Sequence, residues 1–201
     1  MIIMKIFQIG HHRCGTTSFH RFFNLFKIPS CHMNAGTKDS PLFLGKILVD
    51  NLANNKPLLS TVEHFVAYTD MEYGNNIKHR KVGYKLYQQL DQQYPDSLFI
   101  LNHRPIDNWI NSRLKLNGGN WAKNMAKGYN SHDEMLEAWK SDYHDHHKEV
   151  RDYFFGRDCL LDYDIENDNP SKLCDFFNPK FVAYGRVLLD CNKFPWSHKT
   201  I

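Results

Sequence analysis

The chain has no apolar run of the roughly 18 residues that a membrane span requires. Its apolar start, MIIMKIFQIG, is too short for the hydrophobic region of a signal peptide and predicts a first β-strand instead. The chain also has no large excess of positive charge, because its net charge is only +3 and its basic residues form no clustered face. We therefore predict no membrane span and no nucleic-acid partner, and we expect a cytoplasmic protein.

Cysteine pairs of the C-x-x-C type are absent, and the number of cysteines, 5, is odd. These cysteines are Cys14, Cys31, Cys159, Cys174 and Cys191. Their scatter predicts reduced thiols rather than a disulfide framework, and no zinc site built on cysteine. His144 and His147 would share one face of a helix, but two imidazoles on one turn are more typical of a solvated face than of a metal site.

Strand and helix patterns alternate along the chain, which at 201 residues fits one domain spanning 1–201. Apolar or β-branched runs predict strands near residue 5 and at 62–69, 97–102 and 159–163. Helical spacing and capping residues predict helices that begin near residues 16, 40, 83, 105, 131 and 170, followed by an irregular tail. This alternation predicts an α/β fold with three layers, α/β/α, around a central parallel sheet that binds ligands at the carboxyl edge of its strands.

The most informative segment is residues 5–27, where an apolar strand, a loop bounded by Gly10 and Gly15, and an amphipathic helix follow one another. A helix that begins directly after such a loop directs unpaired backbone N–H groups and the positive end of its dipole toward one point. This arrangement is suited to a phosphate or sulfate group.

The loop matches the P-loop pattern G-x-x-x-x-G-K-[ST] at Gly10, Gly15 and Thr17. Thr16, however, replaces the lysine that would bind the β- and γ-phosphates of a nucleoside triphosphate. Arg13 places the positive charge inside the loop instead. We therefore predict a P-loop NTPase-like fold that does not use ATP.

Two motifs in the chain resemble those of one enzyme family. The segment GHHRCGTTS resembles the 5′-phosphosulfate loop of sulfotransferases that use 3′-phosphoadenylyl sulfate (PAPS). The segment FILNHRPIDNWINSR resembles that family's 3′-phosphate motif, in which a strand ends in an arginine, here Arg104, and a helical serine, here Ser112, follows. Both motifs lie at strand-to-helix junctions, and the resemblance covers roughly residues 5–115. It implies the P-loop sulfotransferase fold.

The resemblance also implies a reaction, which is direct in-line transfer of the sulfuryl group of PAPS to a hydroxyl or amine. The product would be 3′,5′-ADP, no metal would be required, and Arg13 would neutralise charge on the bridging oxygen. By position in the motifs, the residues that would bind the donor are Arg13, Cys14, Gly15, Thr16, Thr17, Ser18, Arg104 and Ser112. The family places a base just beyond the second strand, which here is Asp70, with Glu72 as the rival.

Two other functions stay open at this point. A P-loop kinase of a nucleotide or small molecule is disfavoured by Thr16 and by Asn102, which stands where an acidic magnesium ligand would be expected. A nucleotide-binding protein without catalysis is the other, because Tyr68 replaces a lysine of cytosolic family members and no C-terminal Arg-Lys-Gly element is evident.

The acceptor pocket should come from residues 30–75 and 115–150. An aromatic wall is predicted there from Phe65, Tyr73, Trp121 and Tyr129. A small-molecule or glycan acceptor fits this expectation, but the sequence names neither the acceptor nor the oligomeric state.

Overall fold

A parallel sheet of 5 strands, in the order β2-β3-β1-β6-β7, forms the centre of the protein. A computed structural model describes residues 4–74, 76–183, 185 and 187–195, so the end of the predicted irregular tail, 196–201, lies outside the described residues. The strands are β1 Ile6–Gln8, β2 Ser30–His32, β3 Ala67–Thr69, β4 Glu72–Tyr73, β5 Lys81–Val82, β6 Leu98–His103 and β7 Leu160–Asp164. The helices are α1 Thr16–Leu25, α2 Leu44–Ala53, α3 Tyr87–Gln93, α4 Ile106–Leu114, α5 Asn120–Ala126, α6 His132–Tyr153 and α7 Ser171–Ala183.

Side chains alternate between the two faces of the sheet, as strand geometry requires. Ile6 and Ile100 pack into a core with α1 and α7, whereas Phe7 and Phe99 pack on the opposite face with α2, α3 and α6. Both faces are therefore covered, and the predicted three-layer α/β fold is confirmed. Because β1 has β3 on one side and β6 on the other, the loop after β1 lies where the strand order reverses, which is where such sheets bind ligands.

Some predicted boundaries are wrong for local reasons. Helix α2 begins at Leu44 and not near residue 40, because the Asn34 side chain accepts hydrogen bonds from the backbone N–H groups of Gly36 and Leu42 and holds this segment as a loop. The strand predicted at 62–69 is confined to Ala67–Thr69.

Three short elements have no counterpart in the sequence-based prediction. They are the edge strand β2, the helix α5 and the antiparallel pair formed by β4 and β5. β2 consists of Ser30, Cys31 and His32, which carry no apolar or β-branched signal, and it is held by its pairing with β3.

The expectation that all the cysteines are reduced thiols is wrong. Cys174 of α7 and Cys191 form a disulfide, which ties the segment after α7 back onto that helix. Cys14 and Cys31 are free and buried, and Cys159 is free and half-buried. In the described part of the chain, no helix is long and apolar enough to cross a membrane.

Three histidines are buried together between β1 and α6. The ring of His11 lies 5.2 Å from that of His146 and 5.4 Å from that of His147, measured between centroids. The predicted solvated face is therefore wrong for His147, which is only 4% exposed. Burial lowers the pKa of His11 to about 3, that of His146 to about 4 and that of His147 to about 2.

These histidines predict a loss of stability in mild acid. Below pH 6.5 the unfolded chain binds protons that the folded chain excludes, so each histidine lowers the free energy of unfolding by about 1.4 kcal/mol per pH unit. Asp70, whose pKa is raised to about 7, acts in the opposite direction and offsets about one histidine. Burial also lowers the pKa of His12, His20 and His32, which act in the same direction as the three clustered histidines. We expect a net fall of at least about 3 kcal/mol per pH unit between pH 6 and pH 5, measured by chemical denaturation.

The matched variants for this experiment are His147→Gln and His64→Gln. Removing the buried imidazole of His147 should flatten the pH dependence, whereas the exposed His64 should leave it unchanged. An unfolding free energy that is constant from pH 7 to pH 5 in the wild type would contradict the prediction.

Candidate active site

A cavity of about 1000 Å³ opens at the carboxyl ends of the parallel strands. Its walls come from the loop after β1 and the start of α1, from the turn after β3, from the segments after β6 and β7, and from the region between α4 and α5. The residues that line it are His12, Arg13, Gly15, Thr16, Thr17, Ser18, Met33, Phe43, Asp70, Glu72, Tyr73, Gly74, His79, Arg104, Asn108, Ser112, Leu116, Asn117, Trp121, Ile165, Glu166 and Phe194.

The loop after β1 is clamped by one amide side chain, that of Asn102 on β6. Asn102 Oδ1 accepts from the N–H of Gly10 at 3.0 Å, and Asn102 Nδ2 donates to the carbonyl of Cys14 at 2.8 Å. Gly10 is required here because a Cβ atom would lie 2.0 Å from the backbone oxygen of Asn102. Gly15, with a φ of 78°, forms the N-cap of α1 and directs the first N–H groups of the helix into the cavity mouth.

The side chain of Cys14 does not face the cavity. It is fully buried and packs in a cluster with Trp109 and Met125. Burial raises the pKa of its thiol to about 12. Only the backbone of Cys14 is therefore placed to contact a ligand in the loop.

Arg104 and Ser112, predicted from the second motif, both lie beside Arg13 of the first motif. Arg104 Nη1 donates to the carbonyl oxygen of Arg13 at 3.2 Å, and Arg13 Nε donates to Ser112 Oγ at 3.0 Å. The hydroxyl of Tyr143 on α6 fixes the backbone of Arg104, accepting from its N–H at 3.1 Å and donating to its carbonyl at 2.6 Å. The structure thus brings together the residues of the two motifs at one side of the cavity.

Asp70 follows β3 directly and faces the start of α1. Its φ of 55° lies in the left-handed region that the short side chain of aspartate tolerates. Burial and the nearby charge of Glu72 raise its pKa to about 7, although Arg13 and a hydrogen bond from the hydroxyl of Thr16 act against that rise. A carboxylate with such a pKa takes up and releases a proton near neutral pH.

Glu72 lies deeper and is held by two arginines and a histidine. Its carboxylate is 2.8 Å from Arg80 Nε, 2.8 Å from His12 Nδ1 and 3.7 Å from Arg113 Nη2. Burial alone would raise the pKa of Glu72, but these three partners together lower it well below its ordinary value. Glu72 therefore stays ionised and holds the side chains of Arg80, His12 and Arg113 together in the cavity wall.

Arg113, the buried end of this network, is absent from the residues predicted from the sequence. Its guanidinium lies 4.6 Å from the ring centroid of Trp109, 4.7 Å from that of Trp121 and 4.4 Å from that of Trp139. An arginine enclosed by indole faces keeps its charge through cation–π attraction. The spacing of four residues between Trp109 and Arg113 on one helix was the available signal.

The predicted aromatic wall is correct only in part. Tyr73 and Trp121 line the cavity, and Phe43 lies against Tyr73 with ring centroids 4.5 Å apart. Phe65 packs instead at the edge of the core that contains α2 and α3, and Tyr129 packs against the tryptophan cluster. Neither Phe65 nor Tyr129 is among the residues that line this cavity.

The described residues include no group of three or more histidine, cysteine or acidic side chains that could hold a metal ion.

Comparison with protein families agrees with this geometry. The family model of the sulfotransferase domain matches residues 5–125, which is more than half of the chain. The chain therefore belongs to the sulfotransferase domain family. The matched segment contains both motifs, from the loop after β1 to α4 and α5. A comparison with curated proteins found no match.

Proposed function

We propose that the protein is a PAPS-dependent sulfotransferase that moves the sulfuryl group of PAPS to a hydroxyl or amine of a small-molecule acceptor. The observation that carries this proposal is the meeting of the two motifs, in which Arg104 Nη1 donates to the carbonyl of Arg13 at the edge of one large cavity. PAPS bears negative groups at both ends of its adenosine and therefore needs two anion sites that face a common space.

The residues present fit such a donor. The start of α1 offers N–H groups at Gly15, Thr16 and Thr17 for the 5′-phosphosulfate. A guanidinium has five N–H donors, and Arg104 Nη1 and Nη2 each donate one to Arg13 and Glu166, so further donors remain for a 3′-phosphate. Ser112 adds a hydroxyl beside it. The cavity volume, about 1000 Å³, lies at the upper end of the usual range for ligand pockets.

Asp70 is the proposed base. A general base works best when its pKa lies near the working pH, and burial raises the pKa of Asp70 to about 7. Glu72 is less suited to this role, because Arg80 and Arg113 hold it as an anion. Asp70 would accept the proton of the acceptor hydroxyl or amine as its oxygen or nitrogen attacks.

Arg13 is the proposed electrostatic group of the loop. PAPS would supply the sulfuryl group, and the departing oxygen gains negative charge as the bond to sulfur breaks. Burial and the nearby charge of Arg104 lower the pKa of Arg13, and the charge of Asp70 acts in the opposite direction. A preorganised cation at this place stabilises the developing charge without a metal.

The acceptor side of the cavity is aromatic. Phe43, Tyr73 and Trp121 border it, and His79 adds a polar group at the rim. This lining supports an acceptor whose hydroxyl or amine is attached to an apolar group.

An ATP-dependent kinase is less well supported. Thr16 stands in place of a phosphate-binding lysine and donates a hydrogen bond to Asp70, and the side chain of Asn102 is hydrogen-bonded to the loop backbone.

The cytoplasmic location predicted from the cysteines loses part of its basis, because a disulfide such as Cys174–Cys191 is typical of oxidising compartments.

Nucleotide binding and sulfate transfer test the proposal together. We expect 3′,5′-ADP to raise the unfolding temperature without magnesium, and ADP and ATP to raise it much less, since neither has a 3′-phosphate for Arg104. With ³⁵S-labelled PAPS, label should pass to an acceptor from a panel of phenols, alcohols and amines. Stabilisation by ATP alone would contradict the proposal, and binding of 3′,5′-ADP without transfer to any acceptor would favour the inactive binding protein.

A further inference from the structure

Arg104 forms an ion pair with Glu166, which lies in the loop that follows β7. Arg104 Nη2 donates to Glu166 Oε1, and Asn108 Nδ2 donates to the other carboxylate oxygen at 2.6 Å. Neither motif of the chain contains Glu166. Its carboxylate nevertheless lines the same cavity as Arg104, Ser112 and Arg13.

Glu166 therefore stands where a second anion would bind. A phosphate monoester carries a charge of about −1.5 to −2 at pH 7, and it cannot share one guanidinium edge with a carboxylate without strong repulsion between like charges. The carboxylate can leave, because its side chain is 26% exposed and points from a surface loop. The backbone of this loop is anchored separately, since the N–H of Glu166 donates to Asp164 Oδ1 at 2.9 Å.

We propose that Glu166 is an internal competitor of the 3′-phosphate. In the free enzyme its carboxylate pairs with Arg104 and keeps the guanidinium oriented toward the loop after β1. A 3′-phosphate, with its higher charge, displaces the carboxylate into solvent and takes over Arg104. When the product 3′,5′-ADP leaves, the carboxylate of Glu166 pairs with Arg104 again. This inference rests on the proposed function and adds a residue that controls how tightly the nucleotide is held.

The competitor has a selective effect. A nucleotide without a 3′-phosphate leaves the pair of Arg104 and Glu166 intact, so the carboxylate does not oppose its binding. Glu166 thus weakens only those ligands that need Arg104, and it speeds their release. Product release limits the turnover of many enzymes, so a group that accelerates it contributes to activity even though it lowers affinity.

The test is Glu166→Gln, which keeps the size of the side chain and removes the charge. We expect the Kd of 3′,5′-ADP, measured by calorimetry, to fall about threefold to fivefold, the upper part of the range for the loss of one partly exposed ion pair. The dissociation rate, measured by surface plasmon resonance, should fall by a similar factor. The Kd of 5′-AMP, which has no 3′-phosphate, should stay within twofold of the wild-type value.

Glu137→Gln is the matched control, because Glu137 lies on the exposed face of α6 and carries the same charge. It should change neither Kd. Weaker or unchanged binding of 3′,5′-ADP by Glu166→Gln would overturn the inference and would identify Glu166 as a ligand-binding or purely structural group. Equal tightening for 5′-AMP, or tightening by Glu137→Gln, would also overturn it, since general charge would then be the cause.

The outcomes separate this inference from the proposed function. If the wild type binds 3′,5′-ADP and Glu166→Gln binds it no better, only the role of Glu166 is wrong. If neither protein binds 3′,5′-ADP, the proposed function is wrong and the inference falls with it.

Discussion

Replacing Asp70 by asparagine is expected to lower kcat by about 10²-fold to 10⁴-fold, the usual contribution of a general base. In the wild type, activity should rise with pH through about 7, because only the ionised carboxylate accepts a proton and burial raises the pKa of Asp70 to about 7. The variant should lose this pH dependence. Steady-state rates of sulfate transfer from pH 5.5 to pH 9 provide the measurement.

The same variant should become more stable at pH 8. Above pH 7 the wild type must keep a charged carboxylate that is only 17% exposed, whereas an amide carries no such cost. A higher unfolding temperature with a lower turnover distinguishes loss of the base from misfolding. Asp96→Asn, at an exposed turn before β6, should alter neither property. Full activity in the Asp70 variant would remove Asp70 as the base.

Replacing Arg13 by alanine is the second change with a large expected effect. We expect kcat to fall by about 10²-fold to 10³-fold, because one preorganised donor to developing charge contributes about 3 to 4 kcal/mol in comparable sites. Binding of 3′,5′-ADP should weaken far less, since Arg104 and the start of α1 remain. The measurement is the comparison of kcat from transfer assays with Kd from calorimetry.

Arg13→Lys provides the conservative counterpart. It keeps the positive charge but loses the hydrogen bond that Arg13 Nε donates to Ser112 Oγ, so it should recover part of the rate. If alanine at this position weakened binding and left kcat unchanged, Arg13 would serve only to hold the nucleotide.

The parts of the fold that the sequence predicts well are those with long or specific patterns. The strand, glycine-bounded loop and helix at residues 5–27 and the strand that precedes Arg104 were both located, because a buried parallel strand forms an unbroken apolar run. The alternation of strand and helix patterns along the chain predicts the parallel sheet with helices on both of its faces. The edge strand β2 was missed since three residues of mixed polarity carry no periodicity.

The site could be predicted only where a motif spans it. Arg13, Arg104 and Ser112 belong to motifs, and the structure brings them together. Glu166 belongs to none, but it follows β7, and knowledge that β7 pairs with β6 would have placed it beside Arg104. The pairing of Cys174 with Cys191 was missed for a similar reason, because a spacing of 17 residues implies no geometry until the chain after α7 is known to turn back.

The amide of Asn102 limits how this chain could be converted to a different chemistry. Asn102 accepts from Gly10 and donates to Cys14, and an ionised carboxylate could not replace it, because it would place two oxygens against each other at 2.8 Å. An aspartate that recruits magnesium is therefore incompatible with the present loop. Replacing Thr16 by lysine alone would therefore not create an ATPase. Binding of a nucleoside triphosphate with magnesium would require simultaneous changes in the loop after β1 and at the end of β6.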